Sequence, residues 1–133
     1  MDGVVVTSQK IISNPKGDIL HALKAGDSGY DGFGEAYFSI VNKNEIKGWK
    51  KHNVMTLNIL VPFGEVEFVI YDGFDFFNIK LSKNNYHRLT IKPKLWVAFR
   101  GLDNSNMLLN LASHLHDPDE SENLYLNEIN YNW

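Results

Sequence analysis

The sequence predicts a single all-β domain, a β-sandwich or barrel, from three observations. The chain has 133 residues, of which 44% are hydrophobic and 13% aromatic, enough for one packed core. Its apolar segments span roughly four to nine residues and are rich in Val, Ile, Phe, Tyr and Leu, which favour strands. Turn-forming Gly, Pro, Asn and Asp separate these segments. Strands that recur about every dozen residues are typical of sandwiches and barrels.

The predicted strands follow one another along the chain. In order they are VVVTSQKII, GEAYFSIV, MTLNILVPF, EVEFVIYDG, FFNIKL, HRLTIKP, LWVAF and MLLNLA. The predicted turns between them include NPKGD, AGDSGYDGFG, NKNEIKG, SKNN and GLDNSN. No helical pattern competes before HDPDESENLYLNEINYNW, where Asp117 and Pro118 can begin a short helix with acids in its first turn. We expect this tail to pack on the sandwich.

Two central strands show which faces are buried. Alternate residues of MTLNILV and EVEFVIYD are apolar, namely Met55, Leu57, Ile59, Val61, Val66, Phe68 and Ile70. Because side chains alternate across a strand, this face points to a core. The opposite face carries polar groups, among them Thr56, Asn58, Glu67 and Tyr71. Such a face fits a barrel mouth lined by polar groups, and it equally fits a half-solvated sheet.

Composition limits the chemistry and the partners. The net charge of -3 argues against a nucleic-acid partner, which requires a basic surface. The absence of cysteine removes disulfides, thiolate catalysis and cysteine metal sites. The start, MDGVVVTSQK, lacks a leader pattern, and no apolar run approaches about 18 residues. We expect a cytoplasmic protein with no membrane partner.

Five segments in order carry a family resemblance. They are GFGEAYF with Glu35, KGWKKH with His52, VPFGEVEFVIYD, LSKNNYHRLTIKPKLWVAF and NLASHLHDPDE. This ordered set, from about Gly17 to Glu120, resembles the dTDP-4-dehydrorhamnose 3,5-epimerase family of sugar epimerases. The family patterns are similar to FFE, RGLHFQ, GEVFDVAVD, LSxxN with IPxGFAHGF, and YxPxxE. The resemblance implies a cupin-type jelly roll, a nucleotide-sugar substrate, and no required metal or cofactor.

The resemblance assigns roles residue by residue. It implies that His52 is the catalytic base, with Lys47 where the family has arginine and with Lys50 and Lys51 extending the motif. Lysine is a point charge and cannot form the bidentate contact of arginine to phosphate. Beside His52, Lys50 and Lys51 could hold a pyrophosphate. Glu35 matches an acid that reaches the base or sugar of the nucleotide. Asp72 matches the acid of the GEVFDVAVD strand.

Three departures reduce the predicted site. Val97 stands where the family has the histidine of AHGF, and His116 stands where a tyrosine donates a proton. The family also has a C-terminal aspartate that supports the basic histidine, and we expect no counterpart in this chain. The remaining groups predict a reaction at a single carbon.

Enolate chemistry explains why such residues are needed. The carbonyl of a 4-keto-6-deoxysugar acidifies the hydrogens at C3 and C5, and inversion requires two proton carriers on opposite faces. An imidazole suits the role of base near neutral pH. Candidates to support the enolate oxygen are Lys47, Lys50, Lys51 and Asn58. Candidates for the second-face donor are His116, preferred only by position, His114 and Tyr71.

Three functional hypotheses follow. The first is a nucleotide-sugar epimerase in surface polysaccharide assembly, such as O-antigen or capsule. The second is a 3,4-ketoisomerase, because a base that returns the proton elsewhere moves the carbonyl instead of inverting a carbon. The third is a cupin that binds a sugar nucleotide without turnover. His114 and His116 also have the spacing of a metal pair on a strand, but two histidines are weak support and we expect no metal. The resemblance implies a homodimer in which an N-terminal strand crosses to the partner.

Overall fold

The computed structural model describes residues 1–133, which form twelve strands and two single 3₁₀ turns. The strands are β1 (Val4–Ser8), β2 (Ile11–Ile12), β3 (Ile19–Leu20), β4 (Glu35–Asn42), β5 (Ile46–His52), β6 (Leu57–Phe63), β7 (Glu65–Tyr71), β8 (Phe76–Ser82), β9 (His87–Ile91), β10 (Trp96–Gly101), β11 (Ser105–Ala112) and β12 (Ser121–Asn123). The 3₁₀ turns cover Pro118–Glu120 and Leu126–Glu128.

Two five-stranded antiparallel sheets face each other. The first has the order β1-β9-β6-β11-β4, and the second has the order β12-β5-β10-β7-β8. Strands β2 and β3 form a separate two-stranded sheet, and β1 pairs with β9 of the same chain. The predicted all-β sandwich is confirmed.

The apolar core fills the space between the two sheets. Every alternate residue predicted to face a core belongs to one buried cluster, together with Leu81, Leu89, Ile91 and Leu108. The alternation along β6 and β7 therefore identified the inner faces correctly.

Strand β5 differs from the prediction, because NKNEIKG was assigned to a turn. Ile46–His52 is a full strand between β10 and β12. Its charged residues do not alternate with apolar ones, so the period of a half-buried strand is missing from the sequence.

The tail is extended, with single 3₁₀ turns where a short helix was expected. Asp117 caps the first turn by accepting a hydrogen bond from the backbone N–H of Asp119. Residues after β12 then cover the outer face of the second sheet, where Leu124, Ile129, Tyr131 and Trp133 pack with Trp49 and Trp96. The indole N–H of Trp49 donates to the carbonyl of Leu126 at 3.3 Å. The expected packing of the tail on the sandwich is present.

No helix in the structure has the length and apolar character needed to cross a membrane.

Candidate active site

A pocket of about 310 Å³ opens between the two sheets. One wall comes from β5 and β10, and the other comes from β4, β6 and β11, with the chain after β12 at the rim. The lining residues are Tyr37, Ser39, Lys47, Gly48, Trp49, Lys50, His52, Leu57, Ile59, Val97, Phe99, Leu108, Asn110, Asn123 and Leu124. An apolar pocket with a few converging polar groups is typical of a small-molecule site.

An irregular register turns two lysines of β5 into this pocket. Lys50 pairs with Val97 and Lys47 pairs with Phe99, so three residues of β5 span two residues of β10. The extra residue is a β-bulge, which changes the face on which side chains point. Lys47 and Lys50 therefore line the same pocket.

His52 is paired with a carboxylate from the tail. It is only 9% exposed, and its Nδ1 contacts Oε1 of Glu120 in a short hydrogen bond. The second oxygen, Oε2, accepts hydrogen bonds from three backbone N–H groups. The donors are Asn53, Val54 and Met55, with N···O distances of 3.0, 2.9 and 3.1 Å. Because the carboxylate accepts the proton on Nδ1, Nε2 is left as the basic nitrogen of the imidazole.

The hydrogen bonds to Glu120 keep it ionised. Burial by itself raises its pKa, but the hydrogen bond from His52 and those from the amides of Val54 and Met55 outweigh it. Together they lower the pKa from 4.5 to about 2. The carboxylate is therefore a fixed negative charge behind the imidazole at every pH where the protein would work.

The opposite wall carries a tyrosine and an asparagine that are hydrogen-bonded to each other. Tyr37 of β4 and Asn110 of β11 lie directly across from each other in the sheet, and the amide Nδ2 of Asn110 donates to the Tyr37 hydroxyl at 2.9 Å. Lys47 links the two walls, since its ammonium donates to Ser39 Oγ at 3.1 Å and to the Ile40 carbonyl at 2.7 Å. The pocket thus has an imidazole on one side and a phenol on the other.

Comparison with known proteins finds relatives by structure. The comparison finds no matching family model and no matching curated protein. The dTDP sugar isomerase from Desulfovibrio desulfuricans G20 superposes with a TM-score of 0.90 at 30% identity, and the match covers 93% of this chain and 85% of that one. The chain belongs to the cupin-fold dTDP-sugar epimerase family.

Two other members share the fold at lower identity. A sugar 3,4-ketoisomerase from Thermoanaerobacterium thermosaccharolyticum, in complex with TDP, has 21% identity and a TM-score of 0.83 over 94% of this chain and 90% of that one. A 3'-monoepimerase from Streptomyces bikiniensis, in complex with dTDP-quinovose, has 13% identity and a TM-score of 0.84 over 93% of this chain and 70% of that one. The predicted family and cupin fold are confirmed.

Three of the residues predicted for the epimerase site come together in the pocket, namely His52, Lys47 and Lys50. The neighbouring Lys51 points away from the pocket, where its ammonium lies 3.2 Å from Glu122 and over the ring of Trp96. Glu35 begins β4 and does not line the pocket.

Tyr71 and Asp72 lie outside the pocket, at the end of β7. The Tyr71 hydroxyl donates to the Gly73 carbonyl at 2.8 Å, and its ring stacks on Phe76. The carboxylate of Asp72 accepts hydrogen bonds from the backbone N–H groups of Asp75 and Phe74. Both bonds lower the pKa of Asp72, and the bond from Asp75 has the larger effect. Both residues stabilise a turn.

Asn58 lies on the outer face of the first sheet. Its amide oxygen accepts hydrogen bonds from Arg88 Nε at 3.1 Å and from Thr90 Oγ1 at 2.6 Å, and its Nδ2 donates to the Gly29 carbonyl. Arg88 also bonds Asp27 at 3.0 Å. The polar face of β6 thus anchors a loop instead of lining a barrel mouth.

His114 and His116 are exposed after β11 and do not line the pocket. His114 Nδ1 contacts only the neighbouring Ser113 hydroxyl, at 2.7 Å. The structure contains no cluster of three His, Asp or Glu side chains with the geometry of a metal site.

The sequence did not reveal Glu120, Tyr37 and Asn110. The expectation that no acid supports His52 is wrong, because Glu120 makes that contact from a position 68 residues away in the sequence. A signal was available for Tyr37: it lies two residues after Glu35 in GEAYFSIV, hence on the same face of the strand. No comparable signal marked Asn110.

Proposed function

We propose that this protein is an isomerase of a nucleotide-linked 4-keto-6-deoxysugar that inverts a carbon beside the carbonyl through an enolate. The observation that carries the proposal is the pairing of His52 with Glu120 in one wall of a pocket whose other wall holds Tyr37. A base and a proton donor on opposite walls meet the requirement for inversion.

His52 is the proposed base. Nε2 takes the proton from C3 or C5 of the sugar, and the electron pair of the C–H bond moves into the enolate. The ionised Glu120 fixes the tautomer and stabilises the imidazolium that forms. General base catalysis of this kind typically contributes about 10²- to 10⁴-fold.

Lys50 is the proposed support for the enolate oxygen. It lines the pocket two residues before His52, and no protein group in the structure pairs with its ammonium. A cation beside the substrate stabilises the negative charge that develops on the oxygen in the transition state. The ammonium of Lys47 donates two of its three N–H groups to β4, so the third is available to a phosphate oxygen of the nucleotide.

Tyr37 is the proposed second-face donor. Its phenol gives a proton to the carbon from the side opposite His52, which leaves phenolate and the inverted sugar. His52 then holds one extra proton and Tyr37 lacks one, and exchange with water restores both. A reaction at one carbon needs only this pair.

A 3,4-ketoisomerase is the second candidate. Lys50 and His52 lie on the same strand and both line the pocket. Two proton carriers on one side of the sugar can move a proton from C3 to C4 without inverting a carbon.

We further propose that the reaction requires no metal, takes place in the cytoplasm and supplies sugars for O-antigen or capsule. Inversion at both C3 and C5 is the alternative to the reaction at a single carbon. The absence of a required metal, the use of the product and the choice of carbons rest on the family resemblance. A homodimer is also proposed, and it has one additional support: the edge strand β4 exposes Phe38 and Ile40 at 65% and 51%. Exposed apolar edge strands are normally covered in a folded protein.

The test is deuterium incorporation from D₂O into a panel of nucleotide-linked 4-keto-6-deoxysugars, read by NMR together with the products. We expect label at C3 or C5 with an inverted product. A 3-keto product would identify the ketoisomerase. A sugar that binds without exchange or product would leave only the non-catalytic binding protein.

Replacement of Tyr37 by phenylalanine separates the two halves of the reaction. We expect Tyr37→Phe to keep proton exchange near the natural rate, because His52 is intact, and to lower product formation by about 10²-fold. Equal loss of exchange and product would contradict the role as donor. Tyr30→Phe, on an exposed tyrosine outside the pocket, is the control.

A further inference from the structure

We propose that Asn110 is a positioning residue, which holds the phenol of Tyr37 so that its proton points to the substrate. The inference rests on the proposed role of Tyr37 as proton donor and adds a residue that the reaction itself does not require. Two observations support it: the amide Nδ2 of Asn110 donates a hydrogen bond to Tyr37, and the amide Oδ1 accepts none from the protein.

The hydrogen bond runs from the amide to the phenol. Nδ2 of Asn110 donates to the Tyr37 oxygen at 2.9 Å, so the oxygen acts as acceptor in this contact. A phenol has one O–H donor, and that donor is left free for another partner. Since both side chains line the pocket, the free O–H is available to a bound ligand.

The other end of the amide has no partner. Asn110 is 2% exposed, and no protein group donates a hydrogen bond to its buried Oδ1. An unsatisfied buried polar atom destabilises the fold. Its pocket-facing neighbours, Ile59 and Leu108, are apolar. An aliphatic residue would suit this position better if packing were its only role.

Asn106 on the same strand provides the contrast. It is equally buried, and its amide makes four hydrogen bonds, from the backbone N–H groups of Glu65 and Asp103 and to the carbonyls of Val41 and Asp103. Asn106 is a satisfied structural asparagine. The side chain of Asn110 makes a single hydrogen bond within the protein, to the proposed catalytic phenol.

Two variants of Asn110 test the inference. Asn110→Asp keeps the shape but replaces the amide donor by a carboxyl oxygen that can accept, so the phenol O–H turns to this oxygen and away from the ligand. Asn110→Leu removes the contact, so the hydroxyl of Tyr37, a residue that is 45% exposed, is no longer oriented by the amide. The measured quantity is the amount of product formed per proton exchanged with D₂O, together with KM and the melting temperature.

We expect both variants to lower product per exchange by about tenfold or more, with the exchange rate and KM little changed. Asn110→Leu is expected to melt at the natural temperature or above it, because an unsatisfied buried amide is removed. The control Asn106→Asp is expected to melt at a lower temperature and to keep the natural ratio of product to exchange. A merely structural role for Asn110 would lower exchange and product together.

The possible failures are distinguishable. If Tyr37→Phe lowers product per exchange and both Asn110 variants keep the natural ratio, the positioning role is overturned and the proposed function stands. If the natural protein exchanges no sugar proton, the proposed function fails. The contact is then judged by NMR of protein labelled at tyrosine Cζ, with Tyr37 assigned through Tyr37→Phe. A Tyr37 signal that is unchanged in Asn110→Asp overturns the inference in that case also.

Discussion

Replacement of His52 by asparagine is expected to abolish proton exchange between the sugar and D₂O. Asparagine can still donate to Glu120 but cannot take a proton from carbon, so the loss should be on the order of 10²- to 10⁴-fold. The melting temperature should change little, because the amide occupies similar space and keeps the contact with the carboxylate. The measurement is deuterium content by NMR at matched protein concentration.

Two histidine controls sharpen that result. His21 lies away from the pocket, so the variant His21→Asn should exchange the sugar proton at the natural rate. His116→Asn distinguishes the family resemblance from the geometry: the resemblance predicts loss of the second-face donor, whereas its exposed position outside the pocket predicts no change. Full exchange in His52→Asn would remove His52 as the base and with it the proposed mechanism.

Replacement of Glu120 by glutamine is expected to impair both catalysis and folding. The neutral amide no longer selects the Nδ1–H tautomer or stabilises the imidazolium, so exchange should fall by about 10²- to 10⁴-fold. The variant also weakens charged hydrogen bonds from His52 and three backbone amides, which should lower the free energy of unfolding by on the order of 2 kcal/mol.

The stability loss should depend on pH with a defined sign. The pKa of Glu120 falls from 4.5 to about 2 in the folded protein, so the carboxylate stabilises the fold fully above pH 4.5. Its contribution is lost as pH falls from 4.5 towards 2. The difference in the free energy of unfolding between the natural protein and Glu120→Gln should therefore be largest at neutral pH. It should decrease as pH falls from 4.5 towards 2, as measured by urea unfolding.

Glu122→Gln is the matched control for both measurements. Glu122 is two residues away and exposed, and it forms an ion pair with Lys51 on the side away from the pocket. Exposed ion pairs contribute about 0–1 kcal/mol, so this variant should keep natural activity and nearly natural stability. If Glu120→Gln behaved like Glu122→Gln, the carboxylate would have no special role behind His52.

The sequence predicts the layers of the fold better than it predicts the site. Period-two alternation in β6 and β7 directly encodes which face is buried, so Leu57 and Phe68 could be placed without a structure. The orientation of Lys47 and Lys50 depends instead on a bulge between β5 and β10, and a one-residue change in pairing has no signature in a single chain.

The partners of His52 depend on contacts between distant parts of the chain. Glu120 reaches it only because β12 pairs with β5, and the acidic cluster around Glu120 looks like the first turn of a helix in sequence. Asp72 was assigned by family position and Tyr71 as an alternative proton donor, but a local YDG turn accounts for the contacts of both. The family resemblance selected His52 as the proposed base, whereas Tyr37, the proposed second proton carrier, could be chosen only from the packing of the two sheets.

The aromatic tail gives the protein a built-in optical reporter. Trp49 belongs to a strand of the pocket wall, but its ring packs under the tail on the outer face of the sheet. Its ring centroid lies 6.1 Å from that of Trp133, within a cluster that also holds Tyr131 and Phe76. The chain has only three tryptophans, and the third, Trp96, packs at the edge of the same cluster. Tryptophan emission should therefore respond to detachment of the tail, so the opening of this part of the protein can be followed without a label, a coupled enzyme or turnover.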